Sequence, residues 1–352
     1  MIGAMKMNAA FLDGIEDINV RQTDVPTVAA GEALLKVDTC AVCGSDLKIF
    51  HYGNKRVKFP TIVGHEVSGE VVEVGDAVEA VRVGDRLAIG ADIPGVWNTN
   101  VTGKTEFVDY ATGHEFAGGF AQYMLLNADM IRFGPMTRLP DQLSFEAGAL
   151  AEPLACALHG LELAQFGPGR SIAVIGLGPI GVMILQVARA YGATRVFGIQ
   201  RSKTRLAMAQ EIVDDVRYIA TEEEDVVDTV LAETEGLGVD CVITSAGTVQ
   251  SHVDAIHMVA HRGYVNLFGG LRGEPPLSID SNIIHYKECF VMGTHGSQPR
   301  HHKQAVHLLA TGKVSGDRYI HRRFALQQIR DAYAYHESRQ GLKVAVKPNG
   351  GA

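Results

Sequence analysis

The chain has 352 residues, 46% hydrophobic and 20% charged, with a formal net charge of -8. That length leaves room for two ordinary domains, and the composition excludes a disordered or collagen-like chain. The acidic balance, without a basic stripe, argues against a nucleic-acid partner.

The opening MIGAMKMNAAFLDG lacks the basic start and apolar run of a secretory signal. No run of about 18 apolar residues marks a membrane span. The expectation is a cytoplasmic protein with no membrane partner. Cys40, Cys43, Cys156, Cys241 and Cys289 are odd in number and scattered, which does not suit a disulfide framework.

The first 90 residues alternate valine-rich runs with Gly and Asp turns, as in EALLKVDTC, TIVGHEVSGEVVEVGDAV and VRVGDRLAIG. This period-two pattern predicts short antiparallel strands. Residues 90–115 are rich in Gly, Asn and Thr with no clear period, and read as a surface lobe. GGFAQYMLL reads as a returning strand, and from about Ser144 an alanine-rich stretch predicts helix.

From Ser171 strands and helices alternate: SIAVIG, a helix over 179–191, RVFGI, a helix through LAMAQEI, then DCVITSAG and GYVNLFGG. Such alternation implies a parallel sheet with helices on both faces. Thr221 with Glu224 reads as a capping box that places the acidic run 222–225 in a first helical turn. FVMGTHG, a helix through AVHLLATG, and the strand KVAVK close the chain. The fold class is therefore α/β, a β-rich domain joined to a doubly wound parallel sheet.

Gly176, Gly178 and Gly181, with Pro179 and Ile180 inside the motif, form a GxGxxG turn between an apolar strand and a helix bearing Ile180, Ile184, Val187 and Tyr191 on one side. Here Gly176 allows the tight turn, Gly178 lets a pyrophosphate approach the backbone, and Gly181 lets helix and strand pack closely. An NAD site uses an acid about 20 residues on, to hold the ribose hydroxyls. No acid occurs between Gly176 and Glu211; the second strand ends instead in Gln200, Arg201, Ser202, Lys203, Thr204 and Arg205. A guanidinium and a hydroxyl can bind the 2'-phosphate that a carboxylate would repel. Arg201, Ser202 and Arg205 are thus candidate cofactor residues, and NADP(H) is favoured over NAD(H).

Cys43-Gly44-Ser45-Asp46 follows a strand and Gly64-His65-Glu66 begins the next. Thiolate, imidazole and carboxylate make a zinc ligand set, and a catalytic site keeps one position for water or substrate. Cys40 reads as core, since a redox CxxC would sit in a βαβ context absent here. His114-Glu115, without a thiolate neighbour, reads as a surface pair.

The order CGSD, GHE, VGDR at 83–86, AEPLAC at 151–156 and GLGPIG resembles the zinc-dependent medium-chain dehydrogenases over essentially the whole length, and within them the sorbitol or polyol branch. The resemblance implies a GroES-like catalytic domain over 1–152, completed by 293–352, and a Rossmann domain over 153–292, with the active site in the cleft. It implies that Cys43 and His65 are zinc ligands, with Glu66 and Glu152 both open as the direct acid. It makes Ser45 the first proton relay; Lys48 stands where many relatives have histidine, and His51 lies nearby. Zinc there acts as a Lewis acid that eases deprotonation of the alcohol. Many relatives hold a structural zinc with four cysteines in the lobe, but no cysteine lies between Cys43 and Cys156. One zinc per subunit follows, with the lobe held by Trp97, Phe107 and Tyr110 or by subunit contacts. The function expected is hydride transfer between NADP(H) and a secondary alcohol, polyol or sugar-derived, in a homotetramer or homodimer. An NAD-dependent polyol or threonine-type dehydrogenase, and a non-catalytic nucleotide-binding protein, are the alternatives.

Overall fold

A computed structural model describes residues 5–98, 106–271 and 277–350, without the side chains of 94–98 and 106–109. The chain divides into two compact units, Met1–Ala155 with Ser297–Ala352, and Cys156–Gly296.

The first unit is built mainly on antiparallel strands, with Ile320–Ala325 parallel to Lys343–Lys347. Lys6–Gly14 pairs with Asp17–Asp24 and with the short Thr61–Ile62. The larger sheet runs through Met136–Arg138, Arg86–Ile89, Glu66–Val74, Ala33–Ala41, Lys343–Lys347 and Ile320–Ala325, with Tyr123–Leu126 also on Ala33–Ala41. Val37, Val67 and Val71 from the valine-rich runs are fully buried, as are Leu12, Leu34, Leu35, Phe120 and Met124. The C-terminal strand Lys343–Lys347 lies antiparallel to Ala33–Ala41, with Val346 opposite Cys40 and Ala345 opposite Ala41. The end of the chain is therefore an interior strand of a sheet begun near its start.

The lobe departs from the expectation of irregular structure. Asp92–Asn98 and Glu106–Ala111 form an antiparallel hairpin with Trp97 opposite Phe107 in register. Glycine, asparagine and threonine had hidden the strand period. Tyr110 packs on the core and lies 5.4 Å from the Phe116 ring; the side chains of Trp97 and Phe107 lie outside the described residues.

The second unit carries a six-stranded parallel sheet in the order Arg217–Ala220, Arg195–Gln200, Ser171–Ile175, Val239–Thr244, Val259–Leu267, Phe290–Gly293. By chain position this is 3-2-1-4-5-6, the order of the dinucleotide-binding fold, whose ligands lie beyond the carboxyl ends where the order reverses. The helix cap expected at Thr221 is instead Asp225, which accepts from the N–H groups of Val227 and Asp228 at 3.0 and 2.9 Å before the helix Val226–Glu233. Glu224 is held away by Arg217 at 2.5 Å, so it cannot close a box back onto Thr221. Among the described residues no helix is long and apolar enough to cross a membrane.

Candidate active site

Cys43 ends the loop after Ala33–Ala41 and caps the helix Gly44–Tyr52. Its extended backbone (φ -107°, ψ 154°) is what lets the chain turn from strand into helix there. Asp46, one turn into that helix, reaches back: its Oδ2 accepts from the Cys43 N–H at 2.9 Å.

His65 and Glu66 come in at the start of another strand to meet Cys43. Gly64 sits at φ 96°, and a Cβ there would come 2.7 Å from Cys40 Sγ and 2.8 Å from the Phe120 ring. Only glycine fits, and the sharp turn it makes presents His65 just before the strand Glu66–Val74 begins. Ligand atoms of Cys43, His65 and Glu66 all lie within 4.8 Å of one another. Glu152, at the start of the helix Ala151–Leu163, is buried close enough to raise the proton affinity of Glu66. Cys43, His65 and Glu66 are therefore brought together, with Glu152 outside that group but near enough to act on its charges.

The surroundings prepare these groups for a cation. His65 Nδ1 faces Asp46 Oδ1 at 3.3 Å, while Ser45 Oγ lies 3.2 Å from His65 Nε2. An imidazole whose Nδ1 proton is directed at a carboxylate offers its Nε2 lone pair, the usual arrangement of a metal-binding histidine. Burial opposes charge on His65, but Asp46 and Cys43 outweigh it and hold its proton affinity well above normal. Burial pushes Glu66 up to about 7, with Lys343 opposing and Glu152 reinforcing the shift. Glu152 is also pushed up to about 7, by burial first, with His65 opposing and Cys43 and Asp92 adding to it.

Lys343, 3% exposed, donates from Nζ to both carboxylate oxygens of Glu66, at 2.6 Å to Oε2, and to the Val42 carbonyl at 3.3 Å. One buried cation faces two buried carboxylates, a third on Asp46 and a thiol. Asp46 Oδ1 and His65 Nδ1 are buried without an aligned hydrogen bond, and such groups are costly unless compensated. A sulfur, nitrogen and oxygen donor set with surplus negative charge fits a zinc ion, which Cys43, His65, Glu66 and Glu152 could hold.

Lys343, Asp46 and His114 had no role in the sequence reading. His114 is no surface residue: it is half-buried, with its ring 6.1 Å from that of His65. Its neighbour Glu115 is exposed and bound by Arg56 at 2.6 and 2.9 Å. His51 is turned to the surface ion pairs with Glu16 and Glu337, each at 3.0 Å, and these partners raise its proton affinity. Cys40 is core.

In the second unit the glycine turn has the features its motif implies. Gly176 adopts φ 94°, Gly178 caps the helix Pro179–Ala190 with Pro179 in its first turn, and a Cβ on Gly181 would lie 1.9 Å from the Gly176 carbonyl. Ile180 follows in the first turn, where free N–H groups favour an anion. Gln200, at the end of the second strand, accepts the Leu177 N–H on Oε1 at 2.8 Å. Arg205 Nη1 comes within 3.0 Å of a Cβ built on Gly178. Arg201 and Ser202 are exposed beside it, and Ser202 caps the helix Lys203–Ile212. Lys203 is drawn to Glu223.

Residues 29–136 match the alcohol dehydrogenase GroES-like domain family, and residues 179–311 match the zinc-binding dehydrogenase family. The chain is 30% identical to D-arabitol-phosphate dehydrogenase of Enterococcus avium, covering 99% of both chains. It is 31% identical to D-arabinitol dehydrogenase 1 of Uromyces fabae, covering 98% of each. Among solved structures, a zinc-binding dehydrogenase from Sinorhizobium meliloti bound to NADP superposes with a TM-score of 0.87 at 30% identity, over 98% of this chain and 100% of that one. With both family matches and full-length likeness at this level, the chain belongs to the zinc-dependent medium-chain alcohol dehydrogenase family and is an oxidoreductase.

Proposed function

We infer that this dehydrogenase moves a hydride between NADP(H) and a secondary alcohol or its ketone, with a polyol or sugar-derived compound as substrate. The observation that carries the reading is the donor set of half-buried Cys43 with buried His65 and Glu66 within 4.8 Å, with Glu152 close by. These four residues would hold one zinc per chain, which when bound supplies Lewis acidity toward the alcohol oxygen. Ser45, 3.2 Å from His65 Nε2, is placed to take the hydrogen bond of that alcohol and pass its proton outward. Asp46 holds the His65 ring and the Cys43 amide together. The names of the arabitol and arabinitol relatives support a polyol.

For the cofactor, neutral Gln200 stands where a carboxylate would bind ribose hydroxyls and repel a 2'-phosphate. Its oxygen is engaged by Leu177 N–H, while Arg201, Ser202 and Arg205 offer cationic and hydroxyl donors beside it. The NADP-bound relative supports the same choice. The edge strand Phe290–Gly293, with Phe290 51% exposed, supports a homotetramer or homodimer.

The test is oxidation of sorbitol, arabinitol and simple secondary alcohols with either cofactor, before and after Arg201→Ala. NADP+ should be preferred in kcat/KM by the parent, and the substitution should erode that preference by about tenfold or more, as loss of a charge-assisted bond would. Preference for NAD+ in the parent would replace this reading with an NAD-dependent polyol or threonine-type dehydrogenase. No turnover with any pair would leave a non-catalytic nucleotide-binding protein.

A further inference from the structure

The end of the lobe is fastened to the metal-site loop. Gly118 N–H donates to the Ile62 carbonyl at 2.7 Å and Gly119 N–H to the Gly64 carbonyl at 2.9 Å. A Cβ on Gly113 would lie 3.1 Å from Gly64, and one on Gly118 would lie 2.2 Å from the Gly64 oxygen. The turn closes on itself as well: Gly113 N–H donates to the Phe116 carbonyl at 2.8 Å, and Glu115 Oε2 accepts the Ala111 N–H at 2.9 Å while Arg56 grips its carboxylate. Two backbones in direct contact thus fix the residue between Gly113 and Glu115 relative to the residue after Gly64.

Those two residues are His114 and His65, whose rings lie 6.1 Å apart at an interplanar angle of 55°. His114 Nδ1 lies 3.3 Å from the Thr112 carbonyl oxygen. A carbonyl can only accept, so Nδ1 carries the hydrogen and Nε2 is left with the lone pair. Among the described residues the structure gives Nε2 no protein partner. A rigidly mounted acceptor, one ring away from a metal-site histidine and free of other duty, is suited to a hydroxyl that arrives with the substrate.

We propose that His114 is a specificity-determining residue that accepts a hydrogen bond from the substrate hydroxyl on the carbon next to the reacting carbinol, and so selects polyols over simple alcohols. The proposal rests on the oxidoreductase reading and deepens it. A site built to bond a second hydroxyl rejects the analogue that lacks it, because the half-buried acceptor then faces the substrate without a partner. Glu115 serves only to anchor the turn.

The experiment compares propylene glycol with isopropanol, which differ by one hydroxyl on the neighbouring carbon, in the zinc-loaded parent, His114→Phe and His114→Gln. Phenylalanine keeps the ring and removes the acceptor; glutamine restores a polar atom near the same reach. Zinc content and melting temperature establish that each variant is folded. The ratio of kcat/KM for the diol over the mono-alcohol should fall by about tenfold in His114→Phe, mainly through KM, and stay within about threefold of the parent in His114→Gln. An unchanged ratio in His114→Phe, or equal losses for both alcohols, overturns the proposal. Should the parent oxidise neither of these small alcohols, sorbitol oxidation tests the redox reading separately, and calorimetric binding of sorbitol decides for His114. Weaker binding by His114→Phe than by the parent then supports it; equal binding, or none to the parent, overturns it.

Discussion

Lys343 and Glu66 are 277 residues apart in the chain, yet both carboxylate oxygens of Glu66 are held by the one ammonium of Lys343, in a place where neither residue is more than 3% exposed. The pairing ties the last strand of the chain to the strand that starts at the metal site. It also sets the charge balance there: the lysine partly neutralises a group of buried acids that a divalent ion would neutralise further.

Removing Lys343 should therefore destabilise the protein more than an average substitution. Lys343→Met keeps the length of the side chain but leaves Glu66 buried and unpaired, which costs about 3–5 kcal/mol in comparable sites. Denaturant unfolding of the zinc-free protein should show a loss of that order. The double variant Lys343→Met with Glu66→Gln should recover much of it, since no uncompensated charge remains. A single-variant loss below about 1 kcal/mol would mean that the pair is solvated in solution.

The pH dependence of the zinc-free protein follows from the two acids pushed up to about 7. Their unfolded values are near 4.5, so between these limits the folded state binds more protons than the unfolded state. Stability contributed by them then falls as pH rises through that window and on to about pH 8. Melting temperature should drop from about pH 6 to about pH 8 without zinc, and Glu152→Gln should flatten the drop. Zinc must displace the same protons, so its binding should release more of them near pH 6 than near pH 8.5, measured by calorimetry in buffers of different ionisation enthalpy. A melting temperature that rises over this range in the parent and not in Glu152→Gln would reverse the assignment.

What could be read from the sequence is what depends on neighbours in the chain. The glycine turn is legible because a strand, three spaced glycines and a helix with Ile180, Ile184 and Val187 on one side are contiguous. Cys43, Ser45, His65 and Glu66 are legible because short motifs carry their chemistry. Lys343 was not, since a lysine within KVAVK looks like any solvent-facing strand residue until Ala33–Ala41 is placed against it. His114 was misread for a related reason: its burial comes from backbone contact with Gly64, and no local pattern encodes that. The helix cap near 221–225 failed on competition, because Thr221 with Glu224 and Asp225 with Asp228 both fit the pattern. Arg217, several residues earlier and on a different element, took Glu224 away and decided between them.

Asp46 provides the most direct check on the metal centre. One of its oxygens accepts the Cys43 amide hydrogen at 2.9 Å and the other faces His65 Nδ1 at 3.3 Å, so a single carboxylate holds the loop that offers the thiol and stands against the Nδ1 edge of the imidazole. Burial works against its charge, but His65 and the Cys43 amide more than offset this and keep its proton affinity below the ordinary carboxylate value. Asp46→Asn retains an oxygen for the Cys43 amide, so the helix cap and the fold should persist with little change in melting temperature. The amide cannot hold the Nδ1 proton of His65 as a carboxylate does, and outer partners of this kind are worth about 10–100-fold in metal affinity. Competition between the protein and a chelating dye should show zinc affinity reduced within that range. Affinity within about threefold of the parent would mean that His65 is oriented by its backbone turn at Gly64 alone, and that Asp46 serves the helix cap and nothing more.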